Sequence, residues 1–215
     1  MDFNDTKEEA EFRSKVKAWL KENAPKSRKS SGRYDLVDVQ DEAIKEARNW
    51  QSKKAEAGYA AITWPKEFGG LEGTPIQSVI YSQEESNYNV PGGFFEIGLG
   101  MCIPTMMAWA TPEQNERYVK PALNGEEVWC QLFSEPSAGS DVAGIRTKAE
   151  KEGDNWIING QKVWTSGAHF SDFGIIVVRT DPNVPKHKGL SFFFLDMKSE
   201  GIDVKPIKQI SGGAN

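Results

Sequence analysis

The spacing of apolar residues changes near residue 125, and this change constrains the fold more than any other feature of the sequence. Before it, apolar side chains recur at helical intervals, as Phe12, Val16 and Leu20 do. After it, short apolar and β-branched runs alternate with turn residues, which is typical of strands. The sequence therefore predicts an α+β protein, with an all-helical domain over residues 1–125 and a β domain over residues 126–215.

Several local signals predict where the helices of the first part begin and end. Residues 37–57 have a broad apolar face and stop before Gly58, a residue type that usually follows helices. Pro75 can begin the next helix, and the segment Thr111-Pro112-Glu113-Gln114 has an N-cap, a proline at N1 and a capping-box glutamine. That last helix is expected to end near Asn124-Gly125.

The second part contains a series of strand-like runs. The clearest is WIINGQKVW, in which Asn159-Gly160 favours the positive φ values that a type I′ hairpin needs. The other runs are VWCQLF, IRTKAEK, FGIIVVRT, LSFFFLDM and IDVKPIKQ. Short runs separated by turn residues predict an antiparallel sheet or barrel.

Composition and charge disfavour several classes of protein. A net charge of −5 and an isoelectric point near 5.3 disfavour a broad basic surface for nucleic acid. No apolar run approaches the roughly 18 residues that span a bilayer, and the acidic start MDFNDTKEEAEF differs from a secretory signal peptide. Cys102 and Cys130 form no CxxC pair, and we expect both to be reduced thiols in a cytoplasmic protein. His169 and His187 show no metal-ligand pattern, so no metal site is predicted.

Residues 130–144, CQLFSEPSAGSDVAG, contain the clearest chemical signal. An apolar strand runs into Ser-Glu-Pro and then into Gly139-Ser140-Asp141, which leaves amides and hydroxyls open at a strand end. Free N–H groups at such a place can bind a flat polar ring or a phosphate, and the same residues are also consistent with a long turn. The basic group Lys186-His187-Lys188 likewise has two interpretations, a phosphate contact or a solvated loop. Further along, KVWTSG at residues 162–167 is another strand that ends in an aromatic residue, hydroxyls and glycine.

At these residues the sequence resembles the acyl-CoA dehydrogenase family. SEPSAGSDVAG is similar to the family's first signature, and NGQKVWTSGA, RTDP and QISGGAN resemble its later blocks in the same order. AGYAAITWPKEFGG and TPEQNERYVKPALNGE are similar to its helical domain, so the resemblance covers essentially the whole chain. Ser137 departs from the glycine that is commonest at its position in the family, although a small residue still fits there.

The resemblance implies N-terminal helices, a middle antiparallel β-barrel and a C-terminal helical bundle that together bind FAD and an acyl-CoA. In this chain the implied barrel is incomplete at its C-terminal end, because the sequence stops at Asn215. The implied reaction is α,β-dehydrogenation, in which a base removes the α proton and the β hydrogen leaves as hydride to flavin N5. The implied partners are the acyl-CoA substrate, electron-transfer flavoprotein or a similar acceptor, and further subunits of a homo- or hetero-oligomer.

The resemblance also implies roles for particular residues. Residues implied to lie along the flavin are Gln131, Leu132, Phe133 and Ser134, with the Ser134 hydroxyl near the N5 and O4 edge. Residues implied to contact the flavin pyrophosphate or the CoA are Gly139 and Ser140, of which Ser140 is the substrate contact. Residues implied to cover the other side of the ring are Trp164, Thr165 and Ser166. Taken alone, Trp164 is also consistent with a barrel core. The apolar stretch around Met101, Pro104, Thr105 and Met107 is consistent with either core or the border of an acyl pocket.

No catalytic residue is assigned from the sequence. The family's catalytic glutamate belongs to the C-terminal helices, beyond Asn215, and the family does not use the position of Glu135 as the base. The chain by itself is therefore expected to show no turnover and to be a fragment, a truncated product or one piece of a split enzyme. Two alternatives stay open, an acyl-CoA or flavin oxidase of the same fold and a non-catalytic flavin- or CoA-binding subunit.

Overall fold

The computed structural model describes residues 4–25, 41–208 and 210. These residues form two compact units, one of which is helical and contains residues 4–25, 41–94 and 106–126. The other contains residues 95–105 and most of the chain after residue 126, and it includes all of the strands. Helices therefore precede a sheet along the chain, which confirms the α+β class.

The helices begin at sequence signals that satisfy their first amide groups. They are α1 (Lys7–Asn23), α2 (Asp41–Glu56), α3 (Pro75–Glu85), α4 (Ile103–Trp109) and α5 (Pro112–Leu123). Capping boxes precede three of them: Thr6, Thr74 and Thr111 each accept a hydrogen bond from the amide at N3, whose own side chain accepts from the threonine amide. The predicted starts at Pro75 and Thr111 are thus confirmed. The first residues of the predicted helix over 37–57, up to residue 40, lie outside the described part of the chain.

Aromatic side chains fill the core of the helical unit. Val16 and Leu20 of α1 are completely buried, as their helical spacing predicts. They belong to one cluster with Trp50 and Tyr81, which come from α2 and α3. Tyr81 stacks on Tyr59 with ring centroids 5.0 Å apart. Burial of such large rings contributes favourable free energy to the packing of these helices.

A helical segment between residues 98 and 109 was not predicted. A π-helix over Gly98–Cys102 runs directly into α4, and apolar residues occupy so many of its positions that the segment shows no amphipathic stripe. The π-helical part packs on the first strand of the sheet, because Gly98 has no side chain to collide with Trp129. The Cys102 thiol also donates to the carbonyl of Cys130 at 3.4 Å.

In the described residues of the second unit, five strands form one mixed sheet. They are β1 (Trp129–Leu132), β2 (Lys148–Glu152), β3 (Asn155–Asn159), β4 (Phe173–Arg179) and β5 (Leu190–Asp196). β5 pairs antiparallel along the whole of β4. β1 pairs parallel with residues 173–176 of β4, and β2 adds one parallel pair between Lys148 and Arg179. β4 is therefore the central strand, and its residues from Gly174 to Val178 are buried.

The predicted antiparallel β-barrel is not what the described residues form. The sheet is open, and the pairing of β1 with β4 is parallel. Alternation and turn residues identify strands locally, but the partner and direction of a strand depend on contacts between distant residues. Of the predicted final strand, IDVKPIKQ, residues 202–207 have no strand pairing, Lys208 makes only a bridge, and Gln209 is outside the described residues.

The predicted hairpin at Asn159-Gly160 is wrong. The actual hairpin joins β2 to β3 through Gly153-Asp154, and Gly153 supplies the positive φ of 62°. Gly160 has another purpose, because a Cβ on it would lie 2.3 Å from the Thr147 hydroxyl oxygen and 2.6 Å from the Thr147 Cα. The glycine is needed for close chain approach rather than for a turn.

No helix in the described ranges is both long and apolar enough to cross a membrane.

We predict that Gly160→Ala destabilises the protein by about 1–3 kcal/mol, because the added methyl group overlaps the Thr147 backbone. Urea denaturation followed by circular dichroism measures this change. The matched control is Gly139→Ala, where the added carbon meets no atom within 4 Å and the stability should change by less than about 0.5 kcal/mol. Equal effects of the two substitutions would contradict the assigned role of Gly160.

Candidate functional site

Residues 130–144, the first of the two segments predicted to bind the cofactor, continue from the end of β1 into a tight turn. Glu135 and Ala138 exchange backbone hydrogen bonds of 2.8 and 3.0 Å, which turn the chain sharply after Ser134. Gly139 and Ser140 follow this turn and are exposed. The predicted cofactor residues of this segment therefore lie on both sides of one turn at a strand end.

Residues 131–134 do not all point the same way. Leu132 is buried in a cluster with Ile176 and Val178, so its contact with a bound group would be limited to its main chain. Gln131 and Phe133 project to the opposite face because strand side chains alternate. Phe133 packs edge-on against Phe192 with ring centroids 5.4 Å apart.

Residues 162–167, the second predicted segment, lie directly beside the first. The amide of Val163 donates to the carbonyl of Ser134 at 2.9 Å. Lys162 Nζ donates to the carbonyl of Phe133 at 3.0 Å. The structure thus brings residues 131–134 and 163–166 side by side.

Trp164 has an unusual backbone conformation and an exposed ring. Its φ is 59°, in the left-handed region that a bulky side chain adopts only at a cost of about 1–3 kcal/mol. The residue is 63% exposed, so it is not a core tryptophan of the described structure. Strained residues of this kind are concentrated at binding and active sites.

Half-buried hydroxyl groups flank the exposed indole. Ser134, Thr165 and Ser166 are each partly accessible. The turn after them is held by the Ala168 amide, which donates to the Thr165 carbonyl at 3.1 Å, and by Gly167 with a φ of 80°. Hydroxyl donors beside an uncovered aromatic ring suit a flat, polar ring system.

A buried ion pair that was not predicted from the sequence joins the two segments. Lys162 Nζ lies 2.9 Å from Glu135 Oε1, with side chains only 6% and 4% exposed. The same carboxylate accepts the amides of Arg146 at 2.6 Å and Thr147 at 2.9 Å. A charged residue beside strand-like apolar residues, as in GQKVW, is the signal that could have indicated a buried partner.

Opposing effects act on the two groups of this pair. Burial raises the pKa of Glu135, but hydrogen bonds from Thr147, from the Arg146 amide and from Lys162 outweigh it and lower that pKa to about 2. Burial lowers the pKa of Lys162, and the facing carboxylate opposes this shift. A carboxylate held so strongly in its ionised form is a weak base, which agrees with leaving Glu135 out of a catalytic role.

The predicted basic group at residues 186–188 lies in a loop held to the SEPSAGSD turn. Lys186 Nζ contacts both carboxylate oxygens of Asp141, at 2.9 and 2.8 Å, and this hydrogen bonding lowers the pKa of Asp141. The guanidinium of Arg179 donates to the carbonyls of Ala143, Ile145 and Lys186 at 2.6, 3.2 and 3.2 Å. The charge of Lys186 is therefore partly compensated by a neighbouring carboxylate.

Both cysteines are free thiols in buried positions. Burial raises the pKa of Cys102 to about 12 and that of Cys130 to about 11. Thiols are reactive mainly as thiolates, so neither is activated at neutral pH. Within the described residues, His, Cys, Asp and Glu side chains form no group of three or more that could hold a metal ion.

Two family models match the chain. The model described as "Acyl-CoA dehydrogenase, N-terminal domain" matches residues 6–126, and the model described as "Acyl-CoA dehydrogenase, middle domain" matches residues 130–214. Acyl-CoA dehydrogenase IpdE1 of Mycobacterium tuberculosis is 37% identical over 204 residues, which are 95% of this chain and 53% of that protein.

Solved structures are similar over the whole chain. The Tcur3481-Tcur3483 steroid ACAD superposes with a TM-score of 0.80 at 28% identity and covers 100% of this chain, which matches 54% of that one. The ChsE4-ChsE5 complex from Mycobacterium tuberculosis gives a TM-score of 0.78 at 27% identity, again with 100% of this chain and 53% of the other. The chain thus spans about half the length of the relatives that it matches.

We predict that Glu135 makes stability depend on acidic pH. Its carboxyl has a pKa of about 2 in the folded protein against an ordinary value of 4.5, so its stabilisation is complete above 4.5 and disappears as the pH falls toward 2. The full loss is about 3 kcal/mol. Glu135→Gln should therefore flatten the dependence of the unfolding free energy on pH across this interval.

Urea denaturation at several pH values between 2 and 5 would measure the slopes for both proteins. Glu150→Gln is the matched control, because Glu150 is an exposed carboxylate whose contact is with the equally exposed Lys148. A slope for Glu135→Gln identical to that of the wild type would contradict the prediction.

Proposed function

Because this chain belongs to the acyl-CoA dehydrogenase family, we propose that it provides the N-terminal helical and middle domains of an FAD-dependent enzyme that dehydrogenates acyl-CoA thioesters. The proposal rests on the contact of residues 131–134 with residues 163–166, which brings hydroxyl groups and an exposed, strained tryptophan together at one strand end. We place the domain boundary between residues 125 and 126, which is supported by the two family matches at residues 6–126 and 130–214.

The donor set at this strand end fits an isoalloxazine ring. We assign the flavin contacts to the main chain of Leu132, to the side chain of Ser134 and to the side chains of residues 164–166, with Gln131 and Phe133 at the border. These residues would hold the ring flat, shield it from water and donate hydrogen bonds to its polar edge. When bound, FAD supplies the acceptor for the hydride that leaves the β carbon of the substrate.

Gly139 and Ser140 are proposed to contact the pyrophosphate of FAD or the CoA, with Ser140 on the substrate. Both residues are exposed just after the tight turn at Glu135. A Cβ on Gly139 would meet no atom within 4 Å, so this glycine leaves open space where a phosphate could approach the backbone.

We assign no catalytic base to this chain. Glu135 lies nearest in sequence to the proposed flavin residues, but its carboxylate is committed to Lys162 and to the amides of Arg146 and Thr147. The resemblance assigns the base to a glutamate of the family's C-terminal helices. The resemblance also implies that a further strand, between the sheet described here and those helices, completes the barrel.

We also propose a cellular location, an assembly and an electron acceptor for this enzyme. The free, buried thiols of Cys102 and Cys130 support a reducing compartment and thus a cytoplasmic location. The two solved structures named above carry paired protein names, which supports a hetero-oligomeric assembly. The acceptor of electrons from the reduced flavin would be electron-transfer flavoprotein or a similar protein.

The name "steroid ACAD" is the reason to include bulky, ring-containing acyl-CoAs among candidate substrates.

We predict that Trp164→Ala in the natural full-length protein weakens FAD retention or shifts the flavin absorption spectrum, because the exposed indole would no longer cover the ring. Trp164→Phe should preserve more of the retention, since it keeps an aromatic face. Trp109→Ala is the control, because Trp109 is also a highly exposed tryptophan but belongs to α4. Unchanged flavin content and spectrum in Trp164→Ala would count heavily against the placement.

We further predict that purified residues 1–215 show no acyl-CoA dehydrogenation above background, even with excess FAD, because proton abstraction needs a base held close to the α carbon. The assay uses an artificial electron acceptor with short, medium, long, branched and ring-containing acyl-CoAs. A complete enzyme that combines this chain with the family's C-terminal helices is expected to turn over at least one of them. Peroxide formation without an acceptor would indicate an oxidase, and clear turnover by residues 1–215 would mean that they contain the base.

A further inference from the structure

Lys162 connects the two segments of the proposed flavin site through its side chain. Its ammonium donates to the Phe133 carbonyl at 3.0 Å and to the Glu135 carboxylate at 2.9 Å. The next residue, Val163, donates its amide to the carbonyl of Ser134 at 2.9 Å. Residues 133–135 and 162–163 are thus joined by three adjacent hydrogen bonds.

Glu135 extends this connection to a third segment. Its carboxylate also accepts the amides of Arg146 and Thr147, immediately before β2 begins. Through the Glu135 carboxylate, the Lys162 ammonium is therefore held in a fixed position relative to the start of β2. A side chain anchored in this way can hold a neighbouring main chain more firmly than a surface contact can.

Overall stability alone does not explain a buried ion pair at this place. Removing two charges from water costs about as much free energy as their attraction returns, and a well-packed apolar pair often serves stability equally well. An ammonium differs from an apolar side chain because it directs several donors at defined acceptors. One of those acceptors here is the carbonyl of Phe133, the residue just before Ser134.

The conformation of Trp164 also requires outside support. A tryptophan with a φ of 59° persists only when the surrounding structure fixes the chain on both sides of it. On the C-terminal side, the Ala168 amide donates to Thr165 and closes a turn. On the N-terminal side, the corresponding contacts are those of Lys162 and Val163.

We propose that Lys162 and Glu135 are positioning residues that set the relative placement of Ser134 and Trp164, and through them the orientation of the flavin ring. They act through main-chain atoms and touch neither flavin nor substrate. The role rests on the proposed flavin site.

The test separates positioning from stability with two variants of the natural full-length protein. Lys162→Met alone leaves the Glu135 carboxylate buried without its ammonium partner and should lower the melting temperature strongly. The double variant Glu135→Gln/Lys162→Met removes both charges, keeps one side-chain oxygen that can accept either the Arg146 or the Thr147 amide, and should recover part of the melting temperature. It should not recover placement, because a methionine side chain has no donor for the Phe133 carbonyl.

Two measurements on the double variant report placement. Hydrogen exchange of the FAD-free protein should show that protection of the Val163 amide falls about tenfold or more, while the Val177 amide of β4 is unchanged. Titration with FAD should show a dissociation constant raised about tenfold, with an altered flavin absorption spectrum. Wild-type protection at Val163 together with wild-type FAD binding would show that the pair is merely structural and would overturn the proposal.

Two further results would separate the proposed function from the proposed role of the ion pair. If the wild-type protein binds no FAD, the proposed function fails, and exchange at Val163 still shows whether the pair places the two segments. If the double variant does not unfold cooperatively, Glu135→Gln alone replaces it, and both readouts should move in the same direction by a smaller factor. Unchanged readouts in a folded Glu135→Gln variant would overturn the proposal in the same way.

Discussion

Strand β4 is paired along both of its edges, and the arrangement of the second unit depends on those pairings. β5 occupies one edge over the full length of the strand, so β1 and β2 must share the other edge in succession. Because β1 covers only residues 173–176, the chain leaves the ladder after Leu132 and rejoins the sheet at Lys148. The SEPSAGSD turn and its hydroxyl groups occupy the interval between those two strands.

The proposed site is thus a consequence of an interrupted sheet edge. Carbonyl and amide groups that leave a ladder need other partners, and the Ser134 carbonyl finds one in the amide of Val163. The Phe133 carbonyl and the Glu135 carboxylate find theirs in Lys162. Satisfying the main chain in this way is what brings the second hydroxyl-rich segment next to the first.

Local features were predictable from the sequence, and features that depend on distant contacts were not. The capping box at Thr111 and the helix start at Pro75 require only neighbouring residues, and the structure has both. The parallel pairing of β1 with β4, the use of Gly160 for close approach to Thr147, and the Lys162–Glu135 pair across 27 residues all depend on tertiary structure. The family resemblance predicted which residues lie at the flavin site, while the strained backbone of Trp164 depends on the surrounding structure and is not encoded in any local motif.

The guanidinium of Arg179 lowers the entropic cost of binding a ligand at the exposed loops that contain Asp141 and Lys186. It donates hydrogen bonds to the carbonyls of Ala143, Ile145 and Lys186. The main chain on both sides of the Asp141–Lys186 contact is therefore already ordered before any ligand arrives. A phosphate-bearing ligand that bound there would lose its own freedom but would not have to immobilise these loops, so the entropic cost of association would be smaller.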